Sequence, residues 1–238
     1  MLWNAIATLP GCRTVKPRNY SELFLFETPV NKTCWLIGPY KDMTTLATDL
    51  RGDAGLRRSL ARKRVRLGLR DSDVPPADLE RQERYGATVQ GEDFDEDFTA
   101  ARVSSLAPPV GSSTPPPVNR KTDREENVQR FWDSQTPQSH HIVEFNNLET
   151  LGKSQRIGVT EMDYLNLPAV LLSAEFHQRY ISAILKPAQH WGKTKLQTDM
   201  VDLYRQLYQG RGPIFSPLWE VSKVILAHAG LKLSKAQS

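Results

Sequence analysis

The chain is predicted to adopt an α+β fold: a small α/β or hairpin N-terminal region, a disordered Pro/Ser linker, and a mostly helical C-terminal domain with short strands. Three observations predict this. Two strand-like apolar runs flank a turn within residues 20–40. Residues 104–118 read SSLAPPVGSSTPPPV, a composition that cannot bury enough apolar surface to order itself. Beyond that stretch, apolar residues recur at helical spacing, in the part that holds all five histidines.

The hairpin rests on Leu23-Phe24-Leu25-Phe26 and Thr33-Cys34-Trp35-Leu36-Ile37, with turn chemistry in Glu27-Thr28-Pro29-Val30-Asn31-Lys32. Gly38-Pro39 closes it, and a helix is expected over Lys41 to Leu50. A basic helix is expected at about 51–70, where eight cations oppose Asp53, 8 − 1 = +7. Residues 78–98 then carry eight acids against Arg81 and Arg84, −8 + 2 = −6. Opposite blocks side by side pair with each other or stay solvated; the basic one can also bind nucleic acid. These features make up an N-terminal region, residues 1–103, of unassigned role. The linker covers 104–120, and a second domain covers 121–238.

In that second domain, His140 to Phe145 reads as a short strand, and Leu151 to Val159 as a loop or a second short strand. Pro168 suits the first turn of a helix. Val170, Leu171, Phe176, Tyr180, Ile181, Ile184 and Leu185 follow at helical spacing, and Pro187 ends the run. Further helices are expected over Lys195 to Tyr208, stopped by Gly210, and Pro217 to Ala229, capped by Ser216 and ended by Gly230.

The bulk numbers bound the function. Hydrophobic residues make up 39%, and the net charge of +4 with pI near 9.1 points to an anionic partner. Cys12 and Cys34 are the only cysteines; they read as thiols and cannot build a Cys-rich zinc site. No apolar run approaches the ~18 residues needed to cross a bilayer. Met1 to Cys12 lacks the basic start and long apolar stretch of a signal peptide. The expectation is a protein that is cytoplasmic as made, without membrane insertion.

The chemistry-bearing run is Ser139-His140-His141-Ile142-Val143-Glu144. Adjacent histidines at a strand end can supply one imidazole to a metal and another to a water proton, the minimal equipment for metal-assisted hydrolysis. A third histidine, His177, follows 177 − 140 = 37 residues downstream on an expected helix. His190 and His228 have no second ligand-type residue at useful spacing and read as structural or exposed.

Strand with two histidines, loop, then helix with a third is the order of the ββα-metal (His-Me finger) nuclease core. Through Ser139 to Glu144, Asn166-Leu167-Pro168-Ala169-Val170-Leu171-Leu172, and Glu175-Phe176-His177, the chain resembles the HNH/endonuclease VII superfamily. More narrowly it resembles the His-His nuclease domains at the C-termini of bacterial polymorphic toxins. The resemblance covers about residues 138–187. It implies His140 and His177 as metal ligands and His141 as the general base. Asn166 would orient that base or steady the loop, with Asn146 and Asn147 as alternatives. Many such enzymes carry another ligand four residues after the helical histidine. Here that place is Ile181, so Glu144 is the candidate third ligand, or else it orients an imidazole.

The implied cofactor is one divalent ion, Mg, Mn, Zn or Ni; imidazole favours the transition metals and magnesium prefers oxygen. Lys153, Arg156 and Arg179 flank the site and are the expected phosphate-binding groups. Arg179, two positions past His177, points about 200° around the helix. The expected function is hydrolysis of nucleic-acid phosphodiester bonds, DNA ahead of RNA, by a bacterial toxin delivered into a target cell. The resemblance also implies an acidic immunity protein as partner. The competing reading is a non-catalytic nucleic-acid-binding or adaptor protein with structural histidines.

Overall fold

The structure, a computed structural model, describes residues 2–17, 20–29, 32–68, 136–152 and 164–233. Its organising element is a five-stranded antiparallel sheet of β1 (Cys12–Val15), β2 (Leu23–Glu27), β3 (Cys34–Pro39), β4 (Pro137–His141) and β5 (Pro168–Ser173). The strand order is β1-β2-β3-β5-β4. β2 and β3 are the expected hairpin, registered through Phe24↔Ile37 and Phe26↔Trp35.

The hairpin does not stand apart from the histidine-bearing half. β3 pairs with β5 through Ile37↔Val170 and Gly38↔Ala169. Strands from both sides of the Pro/Ser stretch therefore share one sheet and one core. The 104–120 linker and the acidic 78–98 segment lie outside the described residues.

The sheet is covered on both faces. On one, Leu23, Leu25, Cys34, Leu36, Ala169 and Leu171 pack against Met43, Leu46, Ala47 and Leu50 of α2 (Tyr40–Gly52) and Leu60 of α3 (Ala54–Arg62). The other face is aromatic. Trp3 of α1 (Leu2–Ala7) stacks on Phe24. Trp35 packs against Phe176 and Phe215 and donates Nε1–H to the Ile214 carbonyl at 2.8 Å.

β5 departs from the helix expected from Pro168. Residues Pro168–Ser173 form a strand with every position buried. A short continuous apolar run is consistent with either a doubly buried strand or a core helix; pairing with β3 on one side and β4 on the other decides it here. The helix starts only at Ala174, with Ser173 Oγ accepting from Phe176 N.

The short helix Phe145–Thr150, α4, follows β4. The helix after β5, α5, runs from Ala174–Phe176 through a π-helical stretch, His177–Ser182, then Ala183–Leu185 and a 3₁₀ turn, Lys186–His190. β4 also differs from expectation. It ends at His141; Ile142 N still donates to the Pro168 carbonyl, and Ile142 and Val143 are buried core residues.

The last two helices are α6 (Lys193–Tyr208) and α7 (Ser216–His228), close to the expected bounds. Ser216 does not cap α7; its hydroxyl donates to the Pro213 carbonyl. The basic helix expected at about 51–70 is shorter: Arg51 belongs to α2, α3 ends at Arg62, and residues 64–68 are not helical, with Arg66 buried. Cys12 and Cys34 are both thiols, on strands separated by β2. Among the described residues no helix is long and apolar enough to cross a membrane.

Candidate functional site

β4 alternates its side chains across the sheet, as any strand does. Gln138 and His140 face the C-terminal helices, whereas Ser139 and His141 face α2. Their neighbours follow this division. Ser139 Oγ is 2.8 Å from Thr44 Oγ1 of α2. On the opposite face, His177 Nδ1 lies 3.2 Å from Gln138 Oε1, and the His140 and His177 rings have centroids 4.7 Å apart.

His140 is 3% exposed. Its Nδ1 is 3.5 Å from Glu144 Oε1, and its Nε2 is buried with no hydrogen-bond partner among the described residues. An unmet buried nitrogen costs about 1–3 kcal/mol. The Glu144 contact favours the proton on His140 Nδ1, and the Gln138 oxygen favours it on His177 Nδ1. Both Nε2 atoms then carry a lone pair, the form in which imidazole ligates.

Burial, together with the neighbouring His177 and His141, holds His140 well below the usual histidine range. Burial also lowers His177. Both are therefore neutral at pH 7, as metal binding requires. Burial pushes the Glu144 carboxyl up to about 7.

These residues fit a divalent ion as a pair of imidazoles, not as a cluster of three. Among the described residues no group of three His, Cys, Asp or Glu side chains is arranged to hold a metal. Glu144 sits on the Nδ1 side of His140, where a carboxylate orients a ligating imidazole. Ile181, at the place of the further ligand, is fully buried apolar core.

His141 is on the other face. Its ring stacks on Tyr40 at 3.9 Å and meets Tyr164 at 4.8 Å. Its Nε2 lies 3.4 Å from the Tyr164 carbonyl. Burial lowers its pKa to about 4. The strand's own thickness thus separates the expected base from the expected ligands, and the pKa of His141 departs from the near-neutral value expected of a base.

Asn166 is exposed in the turn before β5. The flanking Leu165 and Leu167 carbonyls accept from Lys41 N and Tyr40 N, which straps this turn to the start of α2. Asn147 is buried and engaged with Tyr204, and Asn146 is exposed. Arg179 is exposed and lies 3.4 Å from Glu175 Oε1. Lys153 and Arg156 lie outside the described residues. His190 and His228 are exposed, and His228 Nδ1 lies near the Val224 carbonyl.

Sequence reasoning missed four contributors, Gln138, Tyr40, Tyr204 and Tyr208. Gln138 had a readable signal, since i and i+2 on a strand share a face. The three tyrosines had none, because only the fold brings them to the histidine strand. Tyr204 Oη accepts from Glu144 N at 2.7 Å and Asn147 Nδ2 at 3.2 Å, and Tyr208 Oη donates to the Ile142 carbonyl at 2.9 Å. Together they hold the segment after His141. Comparison with family models, curated proteins and solved structures found no match to this chain.

Proposed function

We propose that this protein is a metal-dependent endonuclease whose centre is the His140–His177 pair. The carrying observation is the order β4, β5, α5, which sets two neutral imidazoles side by side and leaves His140 Nε2 buried without a partner among the described residues. The π-helical stretch that begins at His177 supports the reading, since such irregularities concentrate at functional sites. His140 and His177 would hold the ion, which when bound supplies charge stabilisation at phosphorus.

The chain's own groups supply the rest. Gln138 fixes the His177 ring and Glu144 fixes the His140 ring. Glu144 acts through that ring as a positioning residue, because it meets His140 at Nδ1 and lies across the imidazole from the Nε2 that would hold the ion. His141 becomes a packing residue between Tyr40 and Tyr164. In keeping with the family resemblance, DNA is the favoured substrate, and the setting is a bacterial toxin neutralised by an acidic immunity protein.

The test is plasmid nicking with added Mg, Mn, Zn or Ni and with chelator, beside calorimetric metal titration. His140→Ala and His177→Ala should each abolish nicking and weaken metal binding, non-additively because they share one ion. Glu144→Gln should slow nicking and weaken metal binding, each less than the ligand variants do; His141→Phe should retain nicking. If both ligand variants nick at the wild-type rate, the reading fails. If His141→Phe alone is inactive while folded, His141 is the base.

A further inference from the structure

A cationic surface among the described residues is separate from the histidine pair. Arg51, Arg58, Arg62, Lys63 and Arg64 are all exposed. The one acid among residues 51–68, Asp53, is turned to its own helix, accepting from Leu56 N. None of the five cations has an ion-pair partner among the described residues. Arg58 and Arg62 are four apart on α3, so they share a face about 6 Å apart along the axis.

Two left-handed backbone positions adjoin this helix. Arg64 has φ 57° and Lys32 has φ 48°, and no other described non-glycine residue has positive φ. Such positions favour glycine. Both carry exposed cations here. They also adjoin each other in space: the Arg64 carbonyl accepts from Cys34 N, two residues from Lys32.

The same stretch leads to the candidate centre. The Leu67 carbonyl accepts from Ser173 N, the last residue of β5. Gly68 packs so closely on Phe176 that an added Cβ would lie 2.9 Å from it. Phe176 immediately precedes His177. The cationic rim therefore lies at the sheet end where β3 begins, β5 finishes and α5 starts.

We infer that Lys32, Arg58, Arg62, Lys63 and Arg64 form a phosphate-backbone track for duplex DNA that extends from the His140–His177 centre. The inference rests on the nuclease reading for the substrate's identity, but not for the binding itself. Cations without carboxylate partners neutralise phosphates and release counterions, so binding through them is sequence-independent and falls steeply with salt.

The experiment is fluorescence anisotropy with the full chain and a short labelled duplex, in chelator, over a range of salt. The variant R58Q/R62Q/K63Q/R64Q should bind about tenfold or more weakly, with a salt slope shallower by about 0.9 for each phosphate it no longer neutralises. R64G removes the charge at a glycine-favouring position, so it should weaken binding while leaving Tm undiminished. An unchanged affinity and slope in the quadruple variant, with its melting curve intact, overturns the inference. So does binding of polyglutamate in place of the duplex, which would make this a surface for an acidic protein. The two readings fail separately. A wild type that binds through these residues but never nicks DNA with any metal sinks the nuclease and leaves the track. A wild type that nicks while the quadruple variant binds normally sinks the track alone.

Discussion

Tyr204→Phe is the most direct probe of what holds the histidine strand in place. Tyr204 is fully buried, and its hydroxyl accepts from two donors, Glu144 N and the Asn147 side-chain amide. Phenylalanine keeps the ring and its packing but removes the acceptor. Asn147 is 6% exposed, so water has little access to its stranded amide. A buried donor left unmet costs about 1–3 kcal/mol. The Glu144 N–H loses the same acceptor. The expected loss is about 2 kcal/mol in all, which for a protein of this size lowers Tm by roughly 4–8 °C. Urea unfolding measures it, with an unchanged m value showing that the cooperative unit is intact. Asn147→Ala in the Tyr204→Phe background should cost less than in wild type, since the two share one bond. A loss below about 0.5 kcal/mol for Tyr204→Phe, set against the range for a stranded buried donor, would refute the view that this hydroxyl organises the segment after His141.

Two further outcomes follow from the fold. A fragment of residues 119–238 should not unfold cooperatively, because it lacks β1 to β3 and α2 and leaves β4–β5 as an isolated pair; a sharp urea transition for that fragment would show that the shared sheet is dispensable. His141 has its pKa lowered from 6.5 to about 4, so the unfolded chain binds a proton that the folded one refuses. Its stabilising contribution is present above pH 6.5 and is lost as pH falls towards 4, about 2–3 kcal/mol between pH 7 and 4.5. Glu144, raised by burial, changes stability in the opposite sense; the comparison of wild type with His141→Phe in chelator isolates the histidine, and parallel pH profiles would contradict its burial as a neutral ring.

Much of the local structure was legible in the residues. The β2–β3 hairpin, α6 and α7 follow from alternation, helical spacing and their flanking turns, which act within about a dozen residues. That His140 lies on a strand and His177 on a later helix was legible too, and so was the alternation that sends His140 and His141 to opposite faces, because a strand's side-chain period is fixed by backbone geometry. What alternation could not say is which face meets α5. Nor could it distinguish Pro168–Ser173 as a strand from a helix, since Val170-Leu171-Leu172 is apolar throughout and only its neighbours, Ile37 on one side and His140 on the other, settle the matter. The sharing of one sheet by residues far apart in the chain, the cage of Tyr40 and Tyr164 around His141, and the anchoring of Glu144 by Tyr204 were decided by tertiary structure alone. Burial is the physical reason. The same imidazole or carboxyl has near-standard acidity in water and a displaced one inside, and whether a histidine is ligand, base or packing depends on which side chains, contributed from distant segments, exclude the water around it.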